Sequence, residues 1–196
     1  MTRGPAKQFD RDEVLERALQ IFWARGYEAT GMADLLEHMQ IGRQSLYDTF
    51  GDKRSLFREA LDRYIRTRIS KIVGIMRAPG SPVGNLKKVF EQWKQMGADN
   101  EHWGCLVGNS IGELANRDPE MGEILAGYMD IMENEFVALL KRAEQAGEID
   151  PPLPLRDLAR TMVTTIQGLA LLTKIDPASK RAPSVFRSTM TLIGAG

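Results

Sequence analysis

A chain of 196 residues with a single cysteine, Cys105, holds no internal disulfide framework, and a reducing cytoplasm is its natural setting. Imidazole is almost as scarce, with His38 and His102 alone. There is no Ser/His/Asp set, no HExxH, no phosphate-cradling glycine loop and no Glu-x-x-His pair of a di-iron bundle, so an all-helical enzyme has no centre to point to. His102 and Cys105 are spaced like a ligand pair, but no third or fourth donor joins them, and neither metal nor cofactor is expected. No apolar run approaches the ~18 residues of a membrane span. The opening MTRGPAKQFD has charge but no apolar stretch of a secretory signal. Net charge is missing too: Lys+Arg and Asp+Glu stand at 26 each, with a pI near 6.8, so bulk basicity points to no polyanionic partner.

What the chain does contain is helical periodicity, nearly throughout. Phe9-Asp10-Arg11-Asp12-Glu13-Val14 is a strong helix start, with Asp10 as cap, Glu13 placed to reach back and Phe9 placed to staple onto Val14. Gly26 supplies a left-handed stop. Thr30 is set to cap a helix bearing Met32, Leu35, Leu36 and Met39 on one face. After the turn Gln40-Ile41-Gly42, where Gly42 would permit a positive φ or a close approach, Arg43–Phe50 reads as a second short helix burying Leu46 and Phe50. Residues 52 to 76 read as one long helix. Beyond the break at Ala78–Pro82 come helices over 83–96, 103–115, 119–146, 155–173 and 185–193, the third opened by Asp118-Pro119. Asp176-Pro177 and Pro183 bracket an irregular link. The expected fold class is all-α: an N-terminal three-helix unit, 1–51, joined to a larger helical bundle, 52–196.

The stretch Thr30–Phe57, a short amphipathic helix, a tight turn and a second short helix with a polar leading edge, is the grammar of a helix-turn-helix DNA reader. Residues 1–58 hold nine basic and nine acidic side chains, yet Arg43, Lys53, Arg54 and Arg58 outnumber Asp48 and Asp52 around the second helix. A focused positive edge is what phosphate contacts require. Arg43 and Gln44 are long enough to reach base edges, Arg suiting guanine O6/N7 and Gln suiting adenine N6/N7. Ser45 suits a base or a phosphate, Tyr47 the backbone, and Lys53 the flanking phosphates. Thr30 would offer a hydroxyl and free backbone N–H groups to a phosphate.

The segments Gly26-Tyr27-Glu28-Ala29-Thr30, Ile41-Gly42-Arg43-Gln44-Ser45-Leu46-Tyr47 and Phe50-Gly51-Asp52-Lys53-Arg54-Ser55-Leu56-Phe57 resemble the TetR family of one-component transcriptional regulators, in its G-[YF]-x-x-[TS] segment, its L-Y-x-x-F signature and its K-x-x-L-F start. The match covers residues 9–58; beyond them the likeness is one of architecture. Gln40 stands where the family usually has glycine, and Gly42 where it usually has Ser or Thr. The resemblance implies a regulator, a repressor by expectation, that binds a palindromic operator in double-stranded DNA and is released by a small-molecule effector. It also implies a homodimer whose last two long helices form a four-helix interface. Ile166, Leu169, Leu172, Phe186, Met190 and Ile193 would leave apolar surface for that interface, or else fill the subunit's own core. Trp93, Met96, Trp103, Cys105, Asn109, Met132, Phe136 and Met162 are candidate effector contacts, since Met-rich surroundings adapt to apolar ligands; ordinary core is the alternative for the Met and aromatic residues. Cys105, at a helix start, is placed for thiol reactivity or is an inert buried thiol. The competing reading of the whole chain is a helical adaptor for protein partners, which would leave the Arg43/Gln44/Tyr47 face without a purpose.

Overall fold

The computed structural model describes residues 9–99, 103–175 and 180–195, and among them every regular element is a helix. By packing, the chain divides between Arg68 and Ile69 into two compact units, later than the boundary at residue 51 expected from the sequence. The reason lies in α4, whose Leu56, Phe57, Ala60, Leu61 and Tyr64 are buried in the first unit. Among the described residues no helix is long and apolar enough to cross a membrane.

The first unit is built around the pairing of α1 (Arg11–Arg25) with α4 (Lys53–Tyr64). The carboxylate of Asp10 caps α1, accepting from the N–H groups of Asp12 and Glu13 at 2.8 and 3.3 Å. Glu13 does not complete a reciprocal box: its carboxylate takes Arg17 one turn on. Gly26 ends α1 with φ 88°, a conformation that would strain any side chain, and its N–H donates to Phe22 O at 2.8 Å. Aromatic rings fill the space between the two helices. Phe57 stands edge-on to Phe22, ring centroids 5.1 Å apart, and to Tyr27 at 5.0 Å, while Trp23 meets Tyr64 at 4.9 Å. Burial of such side chains contributes about 1.5–3 kcal/mol each.

The single helix expected over 52–76 is instead three segments: α4, a π-turn at Ile65–Ile69, and α5 (Ser70–Arg77) in the second unit. Residues five apart on an α-helix diverge by about 140°, whereas the wider i→i+5 turn brings them onto the same side. Arg63 and Arg68 are such a pair. Both reach the half-buried carboxylate of Glu16 on α1, Arg68 at 2.8 Å. The widened turn thus lets one acidic side chain hold two guanidinium groups.

In the second unit α8 (Pro119–Gln145) packs against α5, α6 (Pro82–Asp99), α7 (Leu106–Leu114) and α9 (Leu155–Leu172), and α10 (Ala182–Leu192) closes on α9. Asp118 caps α8 through Met121 N, with Pro119 in the first turn as expected. The end of α5 is satisfied by side chains: Arg142 donates to Met76 O and Ala78 O, both at 3.0 Å, and buried Asn85 to Ala78 O at 2.7 Å. The core holds Ile72, Met76, Leu86, Leu139, Leu158 and their neighbours. The helix expected from Trp103 starts three residues later, at Leu106. The Asp176-Pro177 link lies outside the described residues.

Two further helix starts in the first unit, at Gly31 and at Asp52, are held by aspartates, and this makes them sensitive to acid. Gly31 N–H, and then Arg25, hold the Asp34 carboxyl below the ordinary value of 3.8; the Ser55 N–H and hydroxyl do the same for Asp52. A carboxyl depressed on folding stabilises the fold above its unfolded pKa, and that contribution fades as pH falls through the depressed folded value. Asp52→Ala is expected to lower stability by about 1 kcal/mol at neutral pH. In urea titrations the gap to wild type should close as pH is taken below the ordinary aspartate value.

Candidate nucleic-acid interface and ligand cavity

The helix-turn-helix is α2 (Met32–Met39), a three-residue turn, and α3 (Arg43–Phe50), with α3 spanning the residues expected. Leu35 and Met39 are buried, and Met32 and Leu36 half-buried. The turn differs from the sequence reading. The left-handed residue is Gln40, φ 57°, while Gly42 has φ −74° and open space where a side chain would stand. Glycine at 42 is therefore a conformational choice the turn does not demand. Gln40 is held in its disfavoured conformation from α1: Arg17 donates to its Oε1 at 2.8 Å and to Met39 O at 3.4 Å.

Along α3, Leu46 and Phe50 point inward at 0% and 4% exposure, and the Arg11 guanidinium lies 4.9 Å over the Phe50 ring. With Ser45, Leu46, Thr49 and Phe50 turned inward, positions 43, 44, 47 and 48 make up the outer half of the helix. Arg43 and Gln44 are exposed, Tyr47 is 44% exposed, and Ser45 is half-buried at the margin. Asp48, which the sequence reading counted only as a charge, accepts a hydrogen bond from Gln44 Nε2 at 2.8 Å. Its i,i+4 spacing from Gln44 was the available signal. Lys53, in the first turn of α4, is half-buried with its ammonium 4.3 Å over the Tyr27 ring, which fixes the cation beside the end of α3.

Thr30 is a correction. It is fully buried, and its hydroxyl donates to Gly26 O at 2.6 Å, tying the end of α1 to the start of α2. The N-cap of α2 is Gly31, whose N–H is taken by Asp34 Oδ2 at 2.9 Å. Neither the Thr30 hydroxyl nor that N–H is available to a phosphate. The threonine serves packing because the chain turns one residue later than its capping propensity suggested.

In the second unit a cavity of about 490 Å³ lies between α7, α8 and α9. Of the eight residues picked out from the sequence as ligand contacts, Cys105 and Asn109 line it. Cys105 is the N-cap of α7, and Gln167 Nε2 approaches its sulfur at 3.7 Å. Asn109 donates to Trp103 O at 2.9 Å, which pins the half-buried Trp103 next to the cavity wall. Gly104 permits the approach of α9: with φ +77°, a Cβ there would stand 2.8 Å from Ala170 O. Met132, Phe136 and Met162 are instead core residues at 7%, 0% and 1% exposure, and Trp93 is half-buried against the same core. The Met96 side chain and His102 lie outside the described residues.

The cavity residues that the sequence did not single out are Gly108 on α7, Met129 and Glu133 on α8, and Arg160, Val163, Thr164, Gln167, Gly168, Ala170 and Leu171 on α9. They are a mixture of polar and apolar types, with Arg160 donating to Glu133 at 3.3 Å. Such a wall interrupts the helical apolar stripe and leaves no periodic signal. Among the described residues no group of three or more His, Cys, Asp or Glu could hold a metal ion.

The residues expected at a subunit interface also divide. Ile166, Met190 and Ile193 fill the subunit's own core, with Ile166 and Ile193 each 1% exposed and Met190 9%. Phe186 packs against Phe90 with the rings tilted by 59° and their centroids 4.5 Å apart. The side chains left outside are Leu171 and Leu172 at the end of α9, Ile175 just after it and Leu192 on α10, between 37% and 76% exposed, while Leu169 is half-buried. A helix one face of which is spent on its own core offers only the opposite face to a partner.

Comparison with known proteins covers both units. Residues 14–60 match the sequence profile of bacterial regulatory proteins of the tetR family, and residues 82–189 that of the tetracyclin repressor-like C-terminal domain. The chain is 33% identical to the uncharacterized HTH-type transcriptional regulator YezE of Bacillus subtilis over 88% of its own length and 90% of that protein. It is 28% identical to the HTH-type transcriptional repressor ComR of Escherichia coli, covering 97% of this chain and 92% of the other. A solved structure of a cysteine mutant of the TetR family transcriptional regulator CifR, complexed with 26bp double-strand operator DNA, superposes with a TM-score of 0.84 and 26% identity, over 95% of this chain and 98% of that one. A profile match over half the chain, a relative of this identity along nearly its whole length, and an exposed α3 face on a helix-turn-helix together place it: the chain belongs to the TetR family of transcriptional regulators.

Proposed function

We propose that this regulator is a cytoplasmic, ligand-responsive repressor that binds a palindromic operator as a homodimer and leaves it when a small, mostly apolar effector occupies the second unit. The observation that carries the reading is the split of α3 into a buried side, Leu46 and Phe50, and an exposed side, Arg43, Gln44 and Tyr47. Such a helix has the length and side-chain reach to enter a major groove. Arg43 takes a guanine edge, Gln44 an adenine edge, Tyr47 and Ser45 the sugar-phosphate backbone, and Lys53 a flanking phosphate. Support from outside the chain is of two kinds: ComR is named a repressor, and the CifR variant was solved on operator DNA.

The dimer reading rests on Leu172, Leu192 and Ile175, large apolar side chains left in water on or beside the last two helices. In a two-fold dimer, two α3 helices address half-sites about one or more helical turns apart, ~34 Å or longer. The effector reading rests on the cavity, where Met129, Val163 and Leu171 supply apolar wall, and Cys105, Asn109, Gln167 and the Arg160–Glu133 pair supply polar contacts. Release follows if the ligand binds better to the conformation with the weaker operator affinity.

Selection of bound sequences from random duplex DNA tests the reading directly. A palindrome with fixed half-site spacing is expected; folded protein that shifts no duplex at low salt would refute it. Arg43→Ala should cost ~1–3 kcal/mol at one base position and relax the preference there. Lys53→Ala should weaken all sequences alike and reduce the salt slope by about 1; a sequence-selective loss would deny Lys53 its phosphate role. Leu172→Glu combined with Leu192→Glu should yield a helical monomer in sedimentation and weaken operator binding. A double variant that stays dimeric would move the interface elsewhere.

A further inference from the structure

We propose that Asp48 determines specificity: its carboxylate fixes the Gln44 amide so that Gln44 selects adenine over guanine. This deepens the DNA-reading role given to α3 above and rests on it. Gln44 and Asp48 are both exposed, one helical turn apart on the face left open by the burial of Leu46 and Phe50, and Gln44 Nε2 donates to Asp48 Oδ1 at 2.8 Å. A carboxylate accepts hydrogen bonds and does not donate them. The amide must therefore turn its NH2 group toward Asp48 and its carbonyl oxygen away.

One of the two N–H bonds is used by Asp48. The second N–H and Oε1 remain, side by side, as one donor and one acceptor. Adenine matches that pair, since its N6 donates to Oε1 and its N7 accepts from the N–H. Guanine presents O6 and N7, both acceptors, so with the amide fixed Oε1 would face an acceptor. An untethered glutamine escapes the conflict by swinging its oxygen clear of the base and offering both N–H bonds to O6 and N7. The tether removes that escape. Asp48 is thus a positioning residue for the base contact, acting through Gln44.

The test uses the full chain and competition titrations with duplexes carrying A or G at the base pair whose preference Gln44→Ala removes. Wild type should favour A by about tenfold or more, within the range of one good two-bond contact. Asp48→Asn, whose own amide both gives and accepts, should let Gln44 turn either way and bring the ratio to within about threefold. Asp48→Ala should do the same at unchanged helix content by circular dichroism. Adding Asp48→Ala to Gln44→Ala should change the ratio no further. A uniform rise or fall in affinity with the A/G ratio intact in both Asp48 variants overturns the proposal, as does a change of preference confined to a different base pair, which would make Asp48 a base reader itself. If folded wild-type protein binds no duplex, the DNA-reading role falls and takes this proposal with it; binding with an unmoved ratio fells the tether alone.

Discussion

Eight residues are too few to hold a helix in water, so α3 exists only while Leu46 and Phe50 stay buried against the α1–α4 framework. That burial does two things at once. It provides the free energy that the short helix lacks, and it fixes the rotation of α3 about its axis. Arg43, Gln44, Tyr47 and Asp48 point outward because the other side of the helix is spent. The framework beneath is closely packed, with Phe57 against both Phe22 and Tyr27 and Trp23 against Tyr64. Lys53 belongs to the same arrangement, its cation laid on the Tyr27 ring that helps to hold Phe57.

Polar contacts then refine what apolar burial sets in place. Arg17 reaches from α1 to the left-handed Gln40, so the sharp corner between α2 and α3 is supported from the framework rather than by glycine. Glu16, one residue earlier, holds Arg63 and Arg68 across the π-turn. Adjacent residues of α1 thus brace the turn before α3 and the segment after α4. In the second unit the central helix α8 gives one side to the core, through Met132, Phe136, Leu139 and Leu140, and carries Met129 and Glu133 to the cavity. The same helix that stabilises the unit also lines the cavity.

Much of this was legible from residue pattern. The starts at Asp10 and Asp118, the stop at Gly26 and the span of α3 follow from capping chemistry and helical spacing, which are local. The exposure of Arg43, Gln44 and Tyr47 was legible because they cluster on one half of the helix surface while the apolar Leu46 and Phe50 lie on the other. Thr30 was not. A threonine ahead of a helix is a capping candidate on propensity, but its hydroxyl turns back four residues to Gly26 O, at the end of α1. The same limit applies to Met132, Phe136 and Met162, where an apolar residue on a helix reads alike whether it meets a ligand or another side chain.

The amino-acid order by itself determined the helices, their caps, the helix-turn-helix and its family, because each depends on residues within a turn or two of one another. Tertiary structure decided which of Cys105, Asn109, Gln167 and Arg160 share a wall, since α7 and α9 are brought together from positions some sixty residues apart. It also decided that Ile166, Met190 and Ile193 serve the subunit's core while Leu172 and Leu192 face water. Hydrophobic periodicity gives the direction of a helix's apolar stripe but not its width or its neighbour. Only packing settles which edge of that stripe is left uncovered.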